Sequence, residues 1–408
     1  MGRSAVRVAL VSEHASPLAA IGGVDAGGQN VHVAELAAGL VRLGHSVAVY
    51  TRRDDPGLQE RLTTAAGYEV VHIPAGPAAQ VPKDDLWPYM AAFADRLTEM
   101  LTFQRPDVVH AHFWMSAWAS AAAARRLGLP LIVTFHALGT VKRRHQGHSD
   151  TSPLNRIRVE TAVAAEADSI VATCSDEVTE LGFLGVPASK AAVVPCGVDL
   201  GHFSPGTANG RAAAVPGRAY RYRLVSAGRL VRRKGYDTTI EALTRLPETE
   251  LVIAGGGDAT PEPEHDRLLG HADQLGVADR VRLIGQVAHT AMPTLFRSAD
   301  LVICSPWYEP FGIVPLEAMA CGAAVIASAV GGHLDTVADG ITGLLVPPGD
   351  PAELAGRIRY LLANPARCRE LGAAAAARAR SRYSWAQIAA ETEAIYAGLR
   401  QDRPVSAL

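Results

Sequence analysis

Two glutamates stand in an otherwise apolar stretch of the sequence, SPWYEPFGIVPLEAMACG at residues 305–322. Glu309 and Glu317 have seven residues between them, and Pro315 favours the first turn of a helix at residues 312–316. Glu309 then lies in the loop before this helix, and Glu317 lies about one turn inside it. A carboxylate in an apolar interior needs a partner, and the paired hydroxyl groups of a ribose or a hexose could provide one. The alternative is that each glutamate is salt-bridged or exposed.

Basic residues occur in a second stretch, AGRLVRRKGYD at residues 227–237, directly after a strand-like run. The guanidinium of Arg229 offers a fork of hydrogen-bond donors, and the ammonium of Lys234 offers a compact charge. Together these two cations suit a diphosphate group. A solvated basic loop is the alternative interpretation.

A third stretch, GGVDAGGQN at residues 22–30, precedes a helix-like run. Glycines such as Gly27 and Gly28 let the backbone approach a ligand closely, and the first N–H groups of a helix can bind an anion. A phosphate-binding loop and a flexible loop without a ligand are equally supported interpretations of this stretch, because a glycine-rich turn is a weak signal. The spacing differs from the G-x-G-x-x-G of a dinucleotide-binding fold, and the acidic residue expected about 20 positions later is missing, which disfavours a nicotinamide-dependent dehydrogenase.

Short apolar runs alternate with helix-like runs along the chain. The predicted strands are VRVALVS, SVAVYT, DVVHAHF, LPLIVTFH, SIVATC and AAVVPCGV in the first half, and YRLVSAGRL, ELVIAGGG, VRLIGQV, ADLVICSP and AAVIASAV in the second half. Apolar strands that alternate with helices indicate parallel sheets covered on both faces. We therefore predict an α/β fold of two doubly wound, Rossmann-like domains facing across a cleft, with ligands at the C-terminal ends of the strands.

The domain boundaries follow from a segment rich in glycine, proline and alanine. This composition predicts a linker at residues 201–221. The linker separates a first domain at residues 1–200 from a second domain at residues 222–383. An amphipathic helix is predicted within residues 384–408, and we expect it to cross back to the first domain.

Composition limits the class of protein. The chain has 408 residues, of which 48% are hydrophobic and 20% charged, as expected of about two soluble domains. The formal net charge is -2, without a long basic block, which argues against nucleic acid or an anionic membrane as the main partner. The five cysteines form no C-x-x-C pair, so we expect free thiols in a reducing cytosol and no zinc site. Without a signal peptide or an apolar run of roughly 18 residues, the sequence predicts a cytoplasmic protein with no transmembrane segment.

Together these stretches resemble the retaining glycosyltransferases of family four, which have the two-domain GT-B architecture. The similarity covers nearly the whole chain, and the E-x7-E signature at Glu309 and Glu317, followed by a helix, a strand and a Gly-Gly turn, is highly specific. AGRLVRRKGYD, VPCGVD and GLLVPPGDPAELA match further loops of the family. GGQNVHVAELAAGLVRLGHSVAVYTRRD, DVVHAHFWMSAW and LIVTFHALGTVKR are similar to the subgroup that contains sucrose-phosphate synthases, sucrose synthases and the inositol-phosphate N-acetylglucosaminyltransferase of mycothiol synthesis.

The resemblance implies a nucleotide-sugar donor, which we expect to be a UDP-sugar carrying a hexose or an N-acetylhexosamine. Glu309 would contact the hydroxyls of the transferred sugar, and Glu317 would hold the ribose. Arg229 and Lys234 would bind the diphosphate and neutralise the leaving group. His112 would lie beside the transferred sugar and completes the catalytic set of His112, Glu309, Arg229 and Lys234. The other donor-binding positions are Gly27, Gly28, Gln286, Val287, Phe311, Gly312 and Ile313.

The implied mechanism needs neither a metal nor a cofactor. The paired aspartates of RRDDPG and KDDL lie in polar stretches rather than in a D-x-D motif of a strand-end loop. Many retaining glycosidases use a carboxylate nucleophile, whereas the resemblance puts His112 beside the anomeric carbon. It therefore implies front-face attack, in which the leaving phosphate oxygen helps to deprotonate the acceptor.

The acceptor is predicted from the stretch HALGTVKRRHQGH at residues 136–148. The resemblance implies that this region helps to bind a phosphorylated acceptor, such as an inositol phosphate or a hexose phosphate, and the adjacent cations Lys142, Arg143 and Arg144 suit such a group. Lys83 and either Arg156 or Arg158 are weaker candidates. The alternative is a solvated basic loop beside an uncharged acceptor of a natural-product or lipid-linked kind. A non-catalytic nucleotide-sugar binder is disfavoured, because all the candidate site residues are present.

Overall fold

The computed structural model describes residues 5–19, 27–206, 217–256 and 263–401. Packing divides the chain into two compact units, one formed by Met1–Cys196 with Trp385–Leu408 and the other by Gly197–Ser384. Residues 22–26 of the glycine-rich stretch and residues 207–216 of the predicted linker lie outside the described residues. The described ends of that linker, residues 201–206 and 217–221, belong to the second unit.

The first unit is built on one sheet. Its strands in the described residues are β1 (Arg7–Val11), β2 (Ser46–Arg52), β3 (Arg61–Thr63), β4 (Glu69–Ile73), β5 (Val108–His112), β6 (Leu131–Thr134), β7 (Ser169–Ala172) and β8 (Ala191–Val193). They lie in the order β3-β4-β2-β1-β5-β6-β7-β8. All neighbouring strands are parallel except β3, which pairs antiparallel with β4.

Helices cover this sheet. Those in the described residues are α1 (Gly28–Arg42), α2 (Met90–Gln104), α3 (Trp114–Leu127), α4 (Gly139–Gln146), α5 (Arg156–Glu166) and α6 (Ser175–Phe183). Every residue of β5 and β6 is buried, as expected of central parallel strands with both faces covered. Val8, Leu10 and Val49 of the sheet join Leu36 and Leu40 of α1 in one hydrophobic core.

The second unit repeats the plan with a parallel sheet. Its described strands are β9 (Tyr222–Ala227), β10 (Thr249–Ala254), β11 (Val281–Leu283), β12 (Leu301–Cys304), β13 (Val325–Ser328) and β14 (Leu344–Val346), in the order β11-β10-β9-β12-β13-β14. Its described helices are α7 (Tyr236–Leu243), α8 (Pro263–Gln274), α9 (Met292–Ser298), α10 (Ile313–Ala320), α11 (His333–Thr336), α12 (Pro351–Leu362) and α13 (Pro365–Arg382). The two sheets confirm the predicted doubly wound α/β fold.

The last helix, α14 (Trp385–Gln401), belongs to the first unit. Trp385, Ile388 and Tyr396 lie in the same core as α1. The Tyr396 hydroxyl lies 2.7 Å from Nδ1 of His110 in β5. The C-terminal segment is therefore part of the first unit's packing. None of the helices in the described ranges is both long and apolar enough to cross a membrane.

The strand order places a switch point in each sheet. In the first sheet the chain runs from β1 to β2 on one side, while β5 lies on the other side of β1. In the second sheet β9 has β10 on one side and β12 on the other. At a switch point the loops after two neighbouring strands run in opposite directions, and the crevice between them is where doubly wound sheets bind ligands. A ligand site is therefore expected at the loops after β1 and β5 in the first sheet, and at the loops after β9 and β12 in the second sheet.

Candidate active site

Two loops meet at the switch point of the second sheet. The loop after β9 carries Lys234, and the loop after β12 carries Glu309. Trp307 N–H donates to the Arg233 carbonyl over 2.9 Å, and the Ser305 hydroxyl donates to the Gly235 carbonyl over 2.8 Å. Gly235 has φ +63°, and a Cβ there would lie 2.0 Å from the Ser305 carbonyl oxygen, so only glycine permits this close approach.

Glu309 and Lys234 form a buried ion pair. The Lys234 ammonium lies 2.5 Å from Oε2 of Glu309, and the Arg233 guanidinium lies 3.9 Å from the same oxygen. Burial alone raises the pKa of Glu309, but Lys234 and then Arg233 outweigh it, and the pKa falls to about 2. Glu309 is therefore ionised at neutral pH, and in this structure its partner is Lys234.

Glu317 lies on α10, and its pKa is shifted in the opposite direction from that of Glu309. It is partly buried, and this burial raises the pKa of its carboxyl to about 8. The neutral acid therefore predominates at pH 7, with one O–H to donate and the remaining oxygen lone pairs to accept. The two glutamates of the E-x7-E signature thus differ in protonation state at neutral pH, which is how two carboxyl groups take different chemical roles.

A pocket opens beside this ion pair. Its lining includes Lys234, Tyr236, Ser305, Glu309, Pro315 and His333. His333 is buried, and its Nδ1–H donates to the Ser328 carbonyl over 3.0 Å. Burial lowers the pKa of His333, although the charge of Glu309 raises it in part.

The Gly-Gly turn before His333 is hydrogen-bonded to the loop that carries Glu309. Gly332 N–H donates to the Glu309 carbonyl over 2.9 Å. Gly331 has φ +45°, and a Cβ on it would lie 2.2 Å from the same carbonyl oxygen. The turn therefore needs glycine in order to approach Glu309, and it brings His333 into the pocket.

The other predicted donor positions lie around these loops. Arg229 is exposed at the end of β9, and Gln286 is exposed after β11, where Val287 is partly buried. Gly312 caps the N-terminus of α10, between Phe311 and the first helical residue, Ile313. In the first unit, Gly27 caps α1, and its N–H donates to the Asn30 side chain over 2.9 Å. Gly28 is the first residue of α1.

At the first sheet's switch point, His112 ends β5 and is fully buried. Its Nδ1 lies 2.9 Å from Nε2 of His136, the second residue after β6. Burial first, and then the neighbouring histidines, lower the pKa of His112, so its ring is neutral. Phe113 and His136 have φ values of +80° and +62°, backbone strain of the kind that concentrates at functional sites.

Sequence reasoning missed a polar group at the same switch point, in the loop after β1. Glu13, after β1, is buried, and its carboxylate accepts a hydrogen bond from the Ser116 hydroxyl. His14 Nδ1 lies 2.7 Å from the other Glu13 oxygen, and the His14 ring packs edge-on against Phe113. The available signal was a carboxylate at a strand end in VALVSEH. Tyr236 and His333, which line the pocket, and Arg233, which lies near Glu309, were missed as well, although Arg233 and Tyr236 stand inside AGRLVRRKGYD.

The predicted acceptor cations do not lie in a loop, because Lys142, Arg143 and Arg144 belong to α4. The stretch is therefore not the basic loop that the alternative interpretation assumed. The sequence of α4 has three consecutive cations and little apolar periodicity. Hydrophobic patterning therefore does not predict this helix, and residue helix propensity is a weak guide by itself.

These cations also have carboxylate partners. Lys142 lies 3.2 Å from Asp84 and 3.1 Å from Asp150, and Arg143 lies 3.7 Å from Asp150. Lys83 lies 3.3 Å from Asp84. The structure thus gathers Lys83, Lys142 and Arg143 around two aspartates.

Arg144 and Arg156 are engaged elsewhere. Arg144 makes a two-pronged contact with Glu180, over 2.6 and 2.9 Å. Arg156 is buried, and its Nε lies 2.7 Å from Glu160. Arg158 on the same helix is exposed. Of the predicted acceptor cations, Arg144 is therefore turned towards α6 rather than towards the Lys142 group.

Two α/β units with doubly wound sheets and polar groups at both switch points fit a glycosyltransferase of the GT-B type, and comparison with known proteins assigns the chain to that class. Residues 218–378 match the family model described as Glycosyl transferases group 1, and residues 26–202 match that of Glycosyltransferase Family 4. The chain belongs to glycosyltransferase family four.

Individual relatives agree with this assignment. The D-inositol 3-phosphate glycosyltransferase of Xylanimonas cellulosilytica is 36% identical over 99% of each chain, and that of Mycobacterium tuberculosis is 36% identical over 97% of this chain and 83% of the relative. Among solved structures, the sucrose-phosphate synthase of Thermosynechococcus elongatus is 32% identical, with a TM-score of 0.88 over 97% of this chain and 99% of that one. HepE of Anabaena, solved in complex with UDP and glucose, shares the fold at 21% identity, with a TM-score of 0.74 over 96% and 99% of the two chains.

Proposed function

We propose that this glycosyltransferase moves a hexose or an N-acetylhexosamine from a UDP-sugar to a small phosphorylated polyol or sugar, with retention of the anomeric configuration. The observation that carries the proposal is the buried Lys234–Glu309 ion pair in a pocket at the switch point of the second sheet. The names of the relatives, D-inositol 3-phosphate glycosyltransferase and sucrose-phosphate synthase, support a phosphorylated acceptor.

The donor half of the proposal rests on the second unit. Lys234 and Arg233 provide positive charge where the diphosphate leaves, and preorganised cations stabilise a developing anion without a metal. Arg229, at the end of β9, is proposed to join them. The ionised Glu309 is suited to accept hydrogen bonds from sugar hydroxyls, and the neutral Glu317 is suited both to donate to and to accept from a ribose.

The proposed reaction is front-face attack of the acceptor hydroxyl on the anomeric carbon. The bond from that carbon to the diphosphate oxygen breaks, its electron pair leaves with the UDP, and the acceptor proton passes to the departing phosphate oxygen. His112 is proposed to border the sugar. Its buried Nε2 has no hydrogen-bond partner among the described residues, which fits a nitrogen that meets a ligand.

The acceptor half of the proposal rests on the Lys142 group in the first unit. A phosphate would compete with Asp84 and Asp150 for Lys142 and Arg143, and Lys83 would add a third cation. The same aspartates favour a second candidate function, transfer to an uncharged acceptor, because they already balance much of the positive charge.

We also propose a cytoplasmic location and no cofactor beyond the donor. The five cysteines are free thiols, as expected in a reducing compartment. Within the described ranges, no three histidine, cysteine, aspartate or glutamate side chains come together as a metal site requires.

Two measurements test the proposal. Thermal shifts with UDP, GDP and ADP identify the nucleotide. Turnover of the matching nucleotide sugars is then measured with inositol phosphate, glucose 6-phosphate, fructose 6-phosphate and the unphosphorylated sugars, with and without EDTA. We expect a UDP-specific shift and EDTA-resistant turnover that needs a phosphorylated acceptor.

The phosphate contact is tested by the double variant Lys142→Ala/Arg143→Ala. We expect a KM for the phosphorylated acceptor raised by about tenfold or more, since each contact to a charged group contributes roughly 1.5–3 kcal/mol. Arg125→Ala is the matched control, because Arg125 is an exposed cation paired with Glu166 in the same unit. Unchanged acceptor kinetics in the double variant would exclude the phosphate contact. Turnover only with unphosphorylated sugars would support the second candidate.

A further inference from the structure

One polar group of the donor pocket has no role in the reaction as proposed above. Tyr236 is the first residue of α7 and lines the pocket. Its side chain is buried, and its hydroxyl has no hydrogen-bond partner among the residues that the structure describes. Buried hydroxyls are normally paired, so this one calls for a partner that the free chain does not supply.

Packing does not explain the hydroxyl. The Tyr236 ring belongs to a hydrophobic core with Leu224, Ile240 and Ile303. A phenylalanine ring would fill the same space, and it would not bury an unpaired O–H. The tyrosine therefore makes the free protein less stable than its isosteric variant, and the hydroxyl is expected to have a use.

The position of the hydroxyl indicates its partner. If residue 228 carried a Cβ, that atom would lie 3.1 Å from the Tyr236 hydroxyl oxygen, 3.3 Å from Cε of Lys234 and 3.6 Å from its Nζ. The phenol and the ammonium thus converge at the end of β9, where residue 228 has no side chain to block them. A hydroxyl beside a lysine ammonium suits an anionic oxygen, because the O–H donates while the ammonium supplies charge.

The hydroxyl keeps its proton at working pH. Burial raises the pKa of Tyr236. It can therefore act as a hydrogen-bond donor, which is what a phosphate oxygen requires. Glu309 is the other anion of the pocket, and its hydrogen bond comes from Lys234 rather than from the phenol.

We propose that the Tyr236 hydroxyl donates a hydrogen bond to a diphosphate oxygen of the bound nucleotide, next to the contact made by Lys234. The proposal rests on the proposed function, in that it takes a nucleoside diphosphate as the ligand of this pocket. Tyr236 is thus a nucleotide-binding residue, and its hydroxyl gains a hydrogen-bond partner only when the nucleotide is bound.

The test is the variant Tyr236→Phe, measured in the full-length protein by thermal melting without ligand and by calorimetric titration with UDP. We expect the free variant to melt at the same temperature as the wild type or higher, because an unpaired buried hydroxyl has been removed. We expect its UDP dissociation constant to rise by about tenfold or more, as for loss of a hydrogen bond to a charged group. A purely structural hydroxyl would not produce these opposite changes.

Tyr396→Phe is the matched control. The Tyr396 hydroxyl is also buried, but it already has a partner in His110. Its removal should lower the melting temperature and leave UDP affinity unchanged.

Unchanged UDP affinity in Tyr236→Phe overturns the inference, whatever its melting temperature. A lower melting temperature in this variant also overturns it, because the hydroxyl would then be paired in the free protein. If the wild-type protein binds none of UDP, GDP and ADP, the proposed donor is wrong, and the inference about Tyr236 fails with it. If the wild-type protein binds UDP and Tyr236→Phe binds it equally well, only the inference about Tyr236 fails.

Discussion

Replacing Glu317 by glutamine should stabilise the free protein at neutral pH and have little effect in acid. Burial raises the pKa of Glu317 from 4.5 to about 8. The folded protein keeps this proton up to about pH 8, whereas the unfolded chain releases it around pH 4.5, so rising pH between these values favours unfolding. At pH 7 the difference corresponds to roughly 3 kcal/mol, an upper value because the side chain is only partly buried. Glutamine has the same shape and carries no proton to release.

Urea denaturation at pH 4.5, 6, 7 and 8.5 measures this effect. The free energy of unfolding of Glu317→Gln, minus that of the wild type, should be near zero at the lowest pH, grow with pH and level off above pH 8. The control is Glu370→Gln, which changes an exposed carboxylate on α13 and should give a small difference at every pH. A Glu317→Gln difference that stays at zero up to pH 7, or that shrinks as pH rises, would refute the electrostatic argument for Glu317.

Three further predictions concern the Lys234–Glu309 pocket and the reaction proposed for it. Lys234→Met should destabilise the protein by about 3–5 kcal/mol, because it leaves Glu309 without its nearest cation; the double variant Lys234→Met/Glu309→Gln should recover much of the stability in urea denaturation but none of the transfer activity. Gly331→Ala should lower both the melting temperature and the UDP affinity, because its Cβ would meet the Glu309 carbonyl, whereas Gly349→Ala, at a similar positive φ with open space around it, should lower the melting temperature only. Transfer activity should persist in EDTA, and its loss, with recovery on adding a divalent cation, would show that a metal takes part.

Much of the fold is predictable from apolar periodicity. The buried strands β1, β5, β6, β9, β10, β12 and β13 are short apolar runs between helices, and the sequence predicts each of them. Three strands were missed, namely β3, β4 and β14. All three residues of β3 are exposed, so this edge strand has no apolar signal, and β14 has three residues directly before a Pro-Pro-Gly turn. β3 and β14 form because a neighbouring strand offers its edge, which local sequence does not record. β4 is a buried inner strand, and its apolar run was not recognised.

The candidate site shows the same limit. The sequence singles out Lys234 and Glu309 separately, but they are 75 residues apart, and the ion pair exists because β9 and β12 are neighbours in the sheet. Tyr236 and His333 were not singled out from the sequence, since their relevance depends on which pocket they line. The roles assigned to the site residues, including Arg229 and His112, stay predictions.

The acceptor cations were the least predictable part. Their charge is evident in the sequence, but the partners that balance it, Asp84, Asp150 and Glu180, come from segments that are distant along the chain. The three adjacent cations lie on one helix but have two different sets of partners: Lys142 and Arg143 contact aspartates, and Arg144 contacts Glu180.

The proposed activity is transfer of a sugar from a UDP-sugar to a phosphorylated acceptor. To test it, the full-length protein is incubated in EDTA with UDP-glucose or UDP-N-acetylglucosamine and, in turn, inositol phosphate, glucose 6-phosphate and fructose 6-phosphate. UDP release and the anomeric signal of the product are followed by nuclear magnetic resonance. We expect UDP release that depends on the acceptor, together with a product that keeps the α configuration of the donor. UDP release at the same rate with and without each phosphorylated acceptor, or a product of β configuration, would contradict it.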